Sequence, residues 1–398
     1  MRIREISNSV FFGASAALLA VPAFAQTQSS DLPERVVVSA SLLGAVPSDL
    51  LTSSASVLTP LDLELRQTQI VSDVLRDVPG IAVNRGGAVG AFTQVRIRGA
   101  EANHTLVLID GIKASDPFFG EFDFATLIAD DVAKVEVLRG EQSALYGSDA
   151  IGGVIQYITA TGAEAPGLRV RAEGGSFGTF GSTARFAGVS GKFDYAISGA
   201  YQRTDGTPDS RFGTRNLGSD NGAISGKFIY AIAENFRIKA TARYSATNAD
   251  VNSQDFNFPA GPTYGFELDD NGSYKNTAVY GLLSAEFEGL DDHWRNAVTI
   301  QGVDAERNGY GNNFSPADLR TSGDKGRREK ATYVTSYDFG TPMLTHKFTG
   351  AVDWEREYYQ NTDPTGFADT TRRHIDNIGY VGQYDLVFDH RLALNASG

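Results

Sequence analysis

The amino-acid sequence predicts a compact mixed α+β domain followed by a transmembrane antiparallel β-barrel. In residues 167–398, apolar and polar side chains alternate with period two over about ten residues at a time, as bilayer-crossing strands do. Short turns alternate with long polar loops at 204–221 and 248–275, the pattern of outer-membrane barrels. The chain of 398 residues contains 43 Gly, 24 Phe and 16 Tyr but only 2 Met, which favours many strands joined by turns over packed helices.

Charge and cysteine content exclude several classes of function. The chain carries 35 Lys and Arg against 48 Asp and Glu, a formal charge of −13, so no nucleic-acid partner is expected. With 0 cysteines there can be no disulfide framework, thiolate metal site or cysteine nucleophile. His104 has no Ser or Asp nearby in a triad-like arrangement. No catalytic residue is therefore predicted, and the protein is not expected to be an enzyme.

The first 25 residues have the pattern of a secretory signal peptide. Arg2 and Arg4 precede an apolar run at 10–24, which ends in the small-residue pattern of Ala23 and Ala25. Cleavage is expected after Ala25. A buried N-terminal helix is the weaker interpretation, because the polar and turn-rich residues 26–33 follow directly.

Residues 26–56 have no periodicity and are predicted to be a mobile segment. Inside it lies a short β-prone run, which consists of Glu34, Arg35, Val36, Val37, Val38, Ser39 and Ala40. Two interpretations are open on composition alone. The run is either an edge strand of the following domain or a peptide that adds a strand to a partner's exposed sheet edge.

Residues 57–166 are predicted to form the compact α+β domain. Thr59 followed by Pro60 is a helix start, and a second short helix over 72–78 is ended by Pro79. Three strands are expected at 94–98, 105–109 and 134–138, with loops at 84–93 and 113–124 between elements.

Residues 167–398 then contain the predicted barrel strands. At about 20 residues per strand and connection, this region has room for about ten or eleven of them. Four tyrosines near predicted strand ends suit an interfacial aromatic girdle: Tyr195, Tyr201, Tyr244 and Tyr358. A soluble exported β-rich binding protein is the remote alternative, since a sandwich strand shows the same alternation.

Several motifs of the α+β domain resemble those of TonB-dependent outer-membrane receptors, and within that family the cobalamin receptors. They are, in chain order, VLRDVPG at 74–80, RIRG at 96–99, LVLIDG at 106–111, VEVLRG at 135–140 and SALYGSDAIGGVI at 143–155. The resemblance covers about residues 34–166. It implies an α+β plug domain inside a transmembrane antiparallel β-barrel of 22 strands. Because such a barrel needs roughly 440 residues, only about half of it is expected here, and the chain is expected to be an N-terminal fragment.

The same resemblance implies a function in energy-coupled import. Residues 34–40 resemble the TonB box, so the partner-binding interpretation is preferred, with TonB as the periplasmic partner. The family implies a monomer in the bacterial outer membrane that contacts its lipid and imports cobalamin (vitamin B12) into the periplasm. A ferric-siderophore receptor of the same family is the alternative. No cofactor is required.

The ligand is expected at the two plug loops. By the resemblance, Phe92, Thr93 and Gln94 fall where cobalamin receptors place contact residues. Glycine amides and aromatic rings in both loops extend this predicted set to Gly90, Phe92, Thr93, Gln94, Ser115, Asp116 and Phe118. The two loops carry Arg85 and Lys113 against Asp116, Glu121 and Asp123, a net charge of −1, which favours cobalamin over an anionic ferric catecholate. The alternative is that the aromatic residues only pack the plug against the barrel.

Cobalamin receptors of this family also bind calcium through acidic residues of early extracellular loops. The corresponding candidates here are Asp205, Asp209, Asp220 and Asp250. The spacing of these aspartates departs from the family's acidic pattern. The alternative interpretation is therefore that they are solvated surface residues that bind no calcium.

Overall fold

The structure is a computed structural model that describes residues 37–38, 46–47 and 54–398, apart from residues 130, 212, 258, 313, 314, 342, 367, 390 and 391. All of them belong to one compact unit, Val36–Gly398. The predicted signal peptide and most of the predicted mobile segment lie outside the described residues. From that segment, strands β1 (Val37–Val38) and β2 (Val46–Pro47) are described, and they pair antiparallel.

The domain predicted as a plug, called the plug below, contains mixed α and β elements. Its helices are α1 (Pro60–Leu65), α2 (Val71–Leu75) and α3 (Ser143–Tyr146). Its strands are β3 (Ser54–Leu58), β4 (Ile81–Arg85), β5 (Thr93–Ile97), β6 (Thr105–Ile109), β7 (Ile112–Lys113), β8 (Val132–Arg139) and β9 (Gly153–Thr159). Helix α1 begins as predicted: the Thr59 side chain accepts from the Asp62 amide, and the Asp62 carboxylate accepts from the Thr59 amide at 2.8 Å.

The plug strands form a five-stranded sheet and a separate hairpin. The sheet order is β3-β8-β9-β6-β7, in which only β6 and β9 are parallel neighbours. Strands β4 and β5 form the hairpin, with Ile81 opposite Ile97 and Arg85 opposite Thr93. The hairpin ends in the loop at 86–92, so its register fixes the position of that loop.

Within the part of the chain that the structure describes, the barrel sheet contains eleven strands, each antiparallel to the next in chain order. They are β10 (Gly167–Gly174), β11 (Phe180–Ser190), β12 (Phe193–Thr204), β13 (Ser219–Ala233), β14 (Phe236–Asp250), β15 (Ser273–Gly289), β16 (Trp294–Asn312), β17 (Ser315–Thr341), β18 (Leu344–Asn361), β19 (Arg373–Phe388) and β20 (Leu392–Ser397). The expected number of strands is confirmed, but most strands are longer than the expected ten residues. Strand β17, for example, has 27 residues, because its ladder with β16 and β18 continues into charged segments beyond the apolar band.

The two faces of the barrel sheet differ as a membrane barrel requires. On the outward face, Ile197, Val298 and Phe348 are 44%, 54% and 51% exposed, and such side chains meet lipid. An aromatic row includes Phe193 stacked on Phe228 at 6.0 Å and Phe339 stacked on Phe348 at 6.1 Å. This row lies at the end of the sheet with short turns, which is the periplasmic end in barrels of this type. Within the described residues, every helix is too short or too polar to cross a bilayer.

The plug and the inward face of the barrel sheet share one hydrophobic core. Val107 and Ile155 of the plug are at most 1% exposed and belong to the same cluster as Tyr280 of β15 and Val303 of β16. Full burial of such a side chain contributes about 1.5–3 kcal/mol. The plug is therefore packed firmly against strands β15 and β16.

Candidate ligand-binding site

Two plug loops meet the barrel sheet at the end with the long connections. The first loop, residues 86–92, joins β4 to β5, and the second, residues 114–123, follows β7. At Gly90, φ is +93° and a Cβ atom would lie 2.3 Å from the Cβ of Ser219, so only glycine fits there. The Gly90 carbonyl oxygen accepts a hydrogen bond from the Tyr274 hydroxyl of β15 at 2.6 Å. The tip of the first loop is thus docked directly on the barrel wall.

Arg307 of β16 links both loops to the wall. Its guanidinium carbon lies 3.9 Å from the ring centroid of Phe119 and 5.1 Å from that of Phe92. Its Nε donates to the Asp324 carboxylate of β17 at 3.4 Å. The positive charge is therefore satisfied by two aromatic faces and a carboxylate. Sequence analysis did not single out this residue, although its inward position in the alternation with Val303 and Ala305 was a usable signal.

These groups border a cavity of about 350 Å³ between the two loops and the barrel wall, called the apical cavity below. Its lining residues are Gly86, Phe92, Phe118, Phe119, Val251, Tyr274, Arg307, Gly309, Ser322, Gly323, Asp324, Asn361 and Asp363. The volume falls in the range of small-molecule sites, and the lining combines aromatic rings with a few polar groups, as ligand pockets do.

A buried carboxylate, Asp123, organises the loops beneath the cavity. It accepts hydrogen bonds from the amides of Thr93 and Ala125, each at 3.0 Å, and from the Asn276 side chain of β15 at 3.2 Å. Burial raises the pKa of Asp123 above its usual value, although these hydrogen bonds act in the opposite direction. Asp123 thereby fixes Thr93 at the end of the first loop and Ala125 at the end of the second loop against Asn276 of the barrel wall.

A second polar cluster fixes the plug to strands β17 and β18, and we call it the plug anchor: Lys113, Ser115, Arg328, Glu355 and Glu357. Lys113 Nζ lies 2.7 Å from Glu355 and 3.4 Å from Glu357. Arg328, 1% exposed, donates to the carbonyl oxygens of Lys113 and Ser115 at 3.0 and 2.8 Å. Burial and Arg328 act to lower the pKa of Lys113, but the carboxylates of Glu355, Asp149 and Glu357 raise it above its usual value. Lys113 is therefore charged at neutral pH.

The structure places the predicted ligand residues at different depths. Phe92 and Phe118 line the apical cavity, and Phe118 packs edge-on against Phe119 with 4.7 Å between ring centroids. Gly90 shapes the loop next to it. Gln94 donates its side-chain amide to Glu121 at 2.7 Å.

The other three predicted ligand residues have internal partners. Thr93 is 0% exposed and donates its hydroxyl to the Ala91 carbonyl oxygen, and Ser115 is 1% exposed and is held by Arg328. The Asp116 carboxylate accepts from the Phe118 amide at 2.8 Å, which closes the turn that carries the two phenylalanines. In this arrangement Thr93 and Ser115 have no side-chain surface free for a ligand, so direct contact with ligand stays a prediction for them.

Three of the four predicted calcium ligands, Asp205, Asp220 and Asp250, line one cavity of about 380 Å³, and Asp209 does not line it. Their recorded partners are separate: Arg203 for Asp205, Asn252 for Asp209, Tyr201 for Asp220 and Arg215 for Asp250. In the part of the chain that the structure describes, no group of three or more His, Cys, Asp or Glu is placed to hold a metal ion. The four carboxylates are thus not grouped around a common metal position among the described residues, and calcium binding by them stays a prediction.

Of the predicted TonB box, only Val37 and Val38 are described. They pair with Pro47 and Val46 through the backbone. Glu34, Arg35, Val36, Ser39 and Ala40 lie outside the described residues.

Comparison with known proteins agrees with this architecture. The family model for the TonB-dependent receptor plug domain matches residues 48–154. The vitamin B12 transporter BtuB of Vibrio vulnificus is 36% identical over 154 residues, which are 39% of this chain and 25% of that protein. BtuB of Photobacterium profundum is 39% identical over 139 residues, which are 34% of this chain and 23% of that protein. The matches thus span about a quarter of the length of these relatives.

Solved structures show the same fold over a longer part of the chain. BauA, the ferric preacinetobactin receptor from Acinetobacter baumannii, matches with a TM-score of 0.70 at 15% identity, covering 91% of this chain and 62% of that chain. The ferric citrate transporter FecA matches with a TM-score of 0.63 at 14% identity, covering 86% and 55%. At these identities the likeness concerns the fold alone.

A plug packed on the inward face of an antiparallel membrane sheet defines a plugged outer-membrane receptor. Residues 48–154 match the plug domain of TonB-dependent receptors, and the sequence of this plug is similar to those of vitamin B12 transporters. The chain is an outer-membrane protein, which contradicts the alternative of a soluble exported binding protein.

Proposed function

We propose that this chain serves TonB-dependent import of cobalamin across the outer membrane. Cobalamin binds in the apical cavity, residues 34–40 are engaged by TonB in the periplasm, and force on that segment displaces the plug. The transport involves no chemical step and needs no cofactor. Similarity of the plug to vitamin B12 transporters and the chemistry of the apical cavity support this proposal.

The interactions of Arg307 are the observation on which the choice of ligand rests. Among the described residues that line the apical cavity, Arg307 is the one Lys or Arg, and Asp324 and Asp363 are carboxylates. Arg307 is already paired with Asp324 and covered by Phe119. A ferric catecholate is anionic and would need convergent cations without partners. The cavity therefore favours a ligand without net negative charge.

The remaining lining groups suit a large ligand with amide side chains. Phe92, Phe118 and Phe119 provide flat apolar surface, while Asn361 and Ser322 provide hydrogen-bond donors and acceptors. Cobalamin combines an extended apolar ring system with peripheral amides, so both kinds of lining group would be used.

A ferric-siderophore receptor of the same family is the second candidate. The hydrogen bond between Arg307 and Asp324 is long, at 3.4 Å. An anionic ligand that displaced the Asp324 carboxylate would gain the Arg307 guanidinium as a partner.

Equilibrium binding to the purified full-length receptor that contains this chain, in detergent, tests the two candidates. We expect saturable binding of labelled cyanocobalamin at micromolar concentration or below, with and without calcium, and no tight binding of ferric enterobactin. Absence of cyanocobalamin binding together with tight binding of the ferric catecholate would contradict the proposal and favour the second candidate.

A further inference from the structure

Two long connections of the barrel sheet are joined to each other through one side chain, that of Arg215. The first connection, residues 205–218, links β12 to β13, and the second, residues 251–272, links β14 to β15. Arg215 lies in the first connection, but its guanidinium donates to four oxygens of the second connection and the adjoining end of β14. These are the carbonyl oxygens of Val251, Asp270 and Gly272, at 3.2, 2.8 and 2.9 Å, and the Asp250 carboxylate at 2.7 Å.

The acceptors around Arg215 form an all-oxygen set of three carbonyl groups and one carboxylate, which suits a cation. A guanidinium carries five N–H donors in a rigid fork, so four bonds hold it in one orientation. Hydrogen bonds to a charged donor are also stronger than neutral ones. The Arg215 side chain is 27% exposed, so water competes for its donors only in part. Arg215 therefore supplies the cation of this oxygen set from within the chain.

Other hydrogen bonds cross between the same two connections. The Asp269 carboxylate of the second connection accepts from the backbone amides of Thr214 and Arg215 at 2.9 and 3.2 Å. The Ser210 hydroxyl of the first connection donates to the Glu267 carbonyl oxygen at 2.9 Å. The two connections are thus bonded at several points, with Arg215 making the largest number of bonds among these residues.

The joined connections border the apical cavity. Val251, whose carbonyl oxygen is held by Arg215, is one of the residues that line the cavity. A Cβ atom on Gly87 would lie 3.3 Å from Asp209 Oδ2, so the first plug loop rests against the first connection. The position of this part of the cavity wall therefore depends on how the two connections are held together.

We propose that Arg215 is a positioning residue that joins the two connections into one preformed wall of the apical cavity. A preformed wall needs no ordering when the ligand arrives, which removes a conformational cost from binding. Without Arg215, the binding-competent arrangement is populated for only part of the time, so the apparent association rate falls by that fraction while the dissociation rate is kept. The effect on binding rests on the proposed function, whereas the coupling of the two connections does not.

Hydrogen exchange of the ligand-free, full-length receptor that contains this chain tests the coupling. Arg215→Met is expected to accelerate exchange at least tenfold both at 213–218, in its own connection, and at 268–272, in the other. Arg203→Met is the control, because Arg203 pairs with Asp205 at the same rim and both are 57% exposed. It should change exchange at 268–272 by less than twofold. Acceleration confined to 213–218, or none at all, would overturn the proposal.

A milder variant tests the same link if Arg215→Met fails to fold. Asp250→Asn keeps the arginine and its three carbonyl acceptors but removes the charge of the fourth acceptor. Exchange should accelerate at least threefold at both 213–218 and 268–272, and no change at 213–218 would overturn the proposal.

Calcium provides a further test, because the same kind of oxygen set suits that ion. In the unmodified receptor, exchange at 268–272 should agree within twofold between calcium chloride and EDTA, since the cation belongs to the chain. Slower exchange with calcium would show that Arg215 does not complete the wall, and would overturn the proposal.

Binding kinetics test the effect on the cavity. For labelled cyanocobalamin, Arg215→Met should associate at least fivefold more slowly and dissociate within twofold of the unmodified receptor, while Arg203→Met should match it in both rates. An unchanged association rate in Arg215→Met would overturn the role in positioning the cavity wall. If the unmodified receptor binds no cyanocobalamin, the proposed function fails, and the exchange rates still decide whether Arg215 couples the two connections.

Discussion

Lys113 of the plug and Glu355 of barrel strand β18 lie 242 positions apart in the sequence, and their charged atoms are 2.7 Å apart. Glu355 is 4% exposed, so its charge depends on this partner and on Lys330 at 3.3 Å. Removal of one member of a buried ion pair leaves an uncompensated charge, which is far more costly than loss of an exposed pair. The plug anchor therefore sets how easily this side of the plug leaves the wall.

The first prediction is that Lys113→Met weakens plug attachment by about 1.5–3 kcal/mol, because Glu355 and Glu357 lose the cation of the plug and keep only Lys330 and Arg328 of the barrel. Hydrogen exchange of the amides at 105–115 should accelerate by at least tenfold. Arg203→Gln is the control, since Arg203 and Asp205 are both 57% exposed and their pair contributes at most about 1 kcal/mol. Unchanged exchange in Lys113→Met would show that the anchor does not hold the plug.

The second prediction compares two glycines of the first loop. Gly90→Ala meets Ser219 and requires a positive φ, so the loop must move and ligand affinity should fall at least tenfold. At Gly86 the nearest atom to an added Cβ is the Phe92 carbonyl oxygen at 3.7 Å, an ordinary contact, so Gly86→Ala should bind within twofold. Titration of both variants with labelled cyanocobalamin measures the difference. Equal affinities would mean that docking of the Gly90 tip does not position the cavity.

The third prediction concerns pH. Burial raises the pKa of Asp123 in the folded plug, so the folded state binds the proton more tightly than the unfolded state. This contribution to stability is complete below about pH 4 and is lost as pH rises through the raised pKa. In Asp123→Asn, the decline in plug stability between pH 4 and pH 8 should therefore be smaller than in the unmodified chain. Plug stability is measured as the urea concentration at the unfolding midpoint, followed by hydrogen exchange of residues 93–97.

Asp62 is the control for this pH effect, because its pKa is shifted in the opposite direction. The Thr59 hydroxyl and amide lower the pKa of Asp62, so its contribution is present above its unfolded pKa and is lost on acidification. Asp62→Asn should remove stability at pH 7 and leave the decline at higher pH unchanged. An Asp123→Asn variant with the same pH profile as the unmodified chain would contradict the third prediction.

The fourth prediction concerns the TonB box. Val37→Pro removes a backbone donor and fixes φ, so addition of this segment as a strand to TonB should fail. Import should stop while ligand binding to outer membranes persists. Val46→Pro disturbs the internal partner of Val38 but leaves residues 34–40 intact, so import should continue. Loss of ligand binding in Val37→Pro would mean that the segment is structural.

Secondary-structure elements that are determined by residues close together in the sequence could be predicted from it. The start of α1 was predicted correctly because Thr59, Pro60 and Asp62 satisfy the helix end by themselves. The barrel strands followed from period-two alternation, since each inward residue must meet the plug and each outward residue must meet lipid. Strand ends were predicted poorly, because hydrogen bonding between neighbours extends β16 and β17 beyond the alternating apolar band.

Groups brought together over long distances in the chain could not be predicted. Arg307, Asp324 and Phe119 form one unit only through the register of β16 with β17 and the docking of a plug loop. The sequence likewise shows Thr93 as a polar loop residue, whereas burial next to Asp123 determines its environment. The motif order identified the family, but side-chain depth in the loops depends on packing against the barrel wall.

The affinity of Phe119→Ala for cyanocobalamin tests the central claim, that the ligand binds in the apical cavity. Phe119 is 43% exposed beside Arg307, so its truncation removes an aromatic face of the cavity without opening the core. The matched control is Phe177→Ala, whose ring is 63% exposed in the connection between β10 and β11 and does not line the cavity. We expect Kd to rise at least tenfold, about 1.4 kcal/mol, in Phe119→Ala and to stay within twofold in Phe177→Ala. Equal Kd values for Phe119→Ala and the unmodified chain would contradict the account.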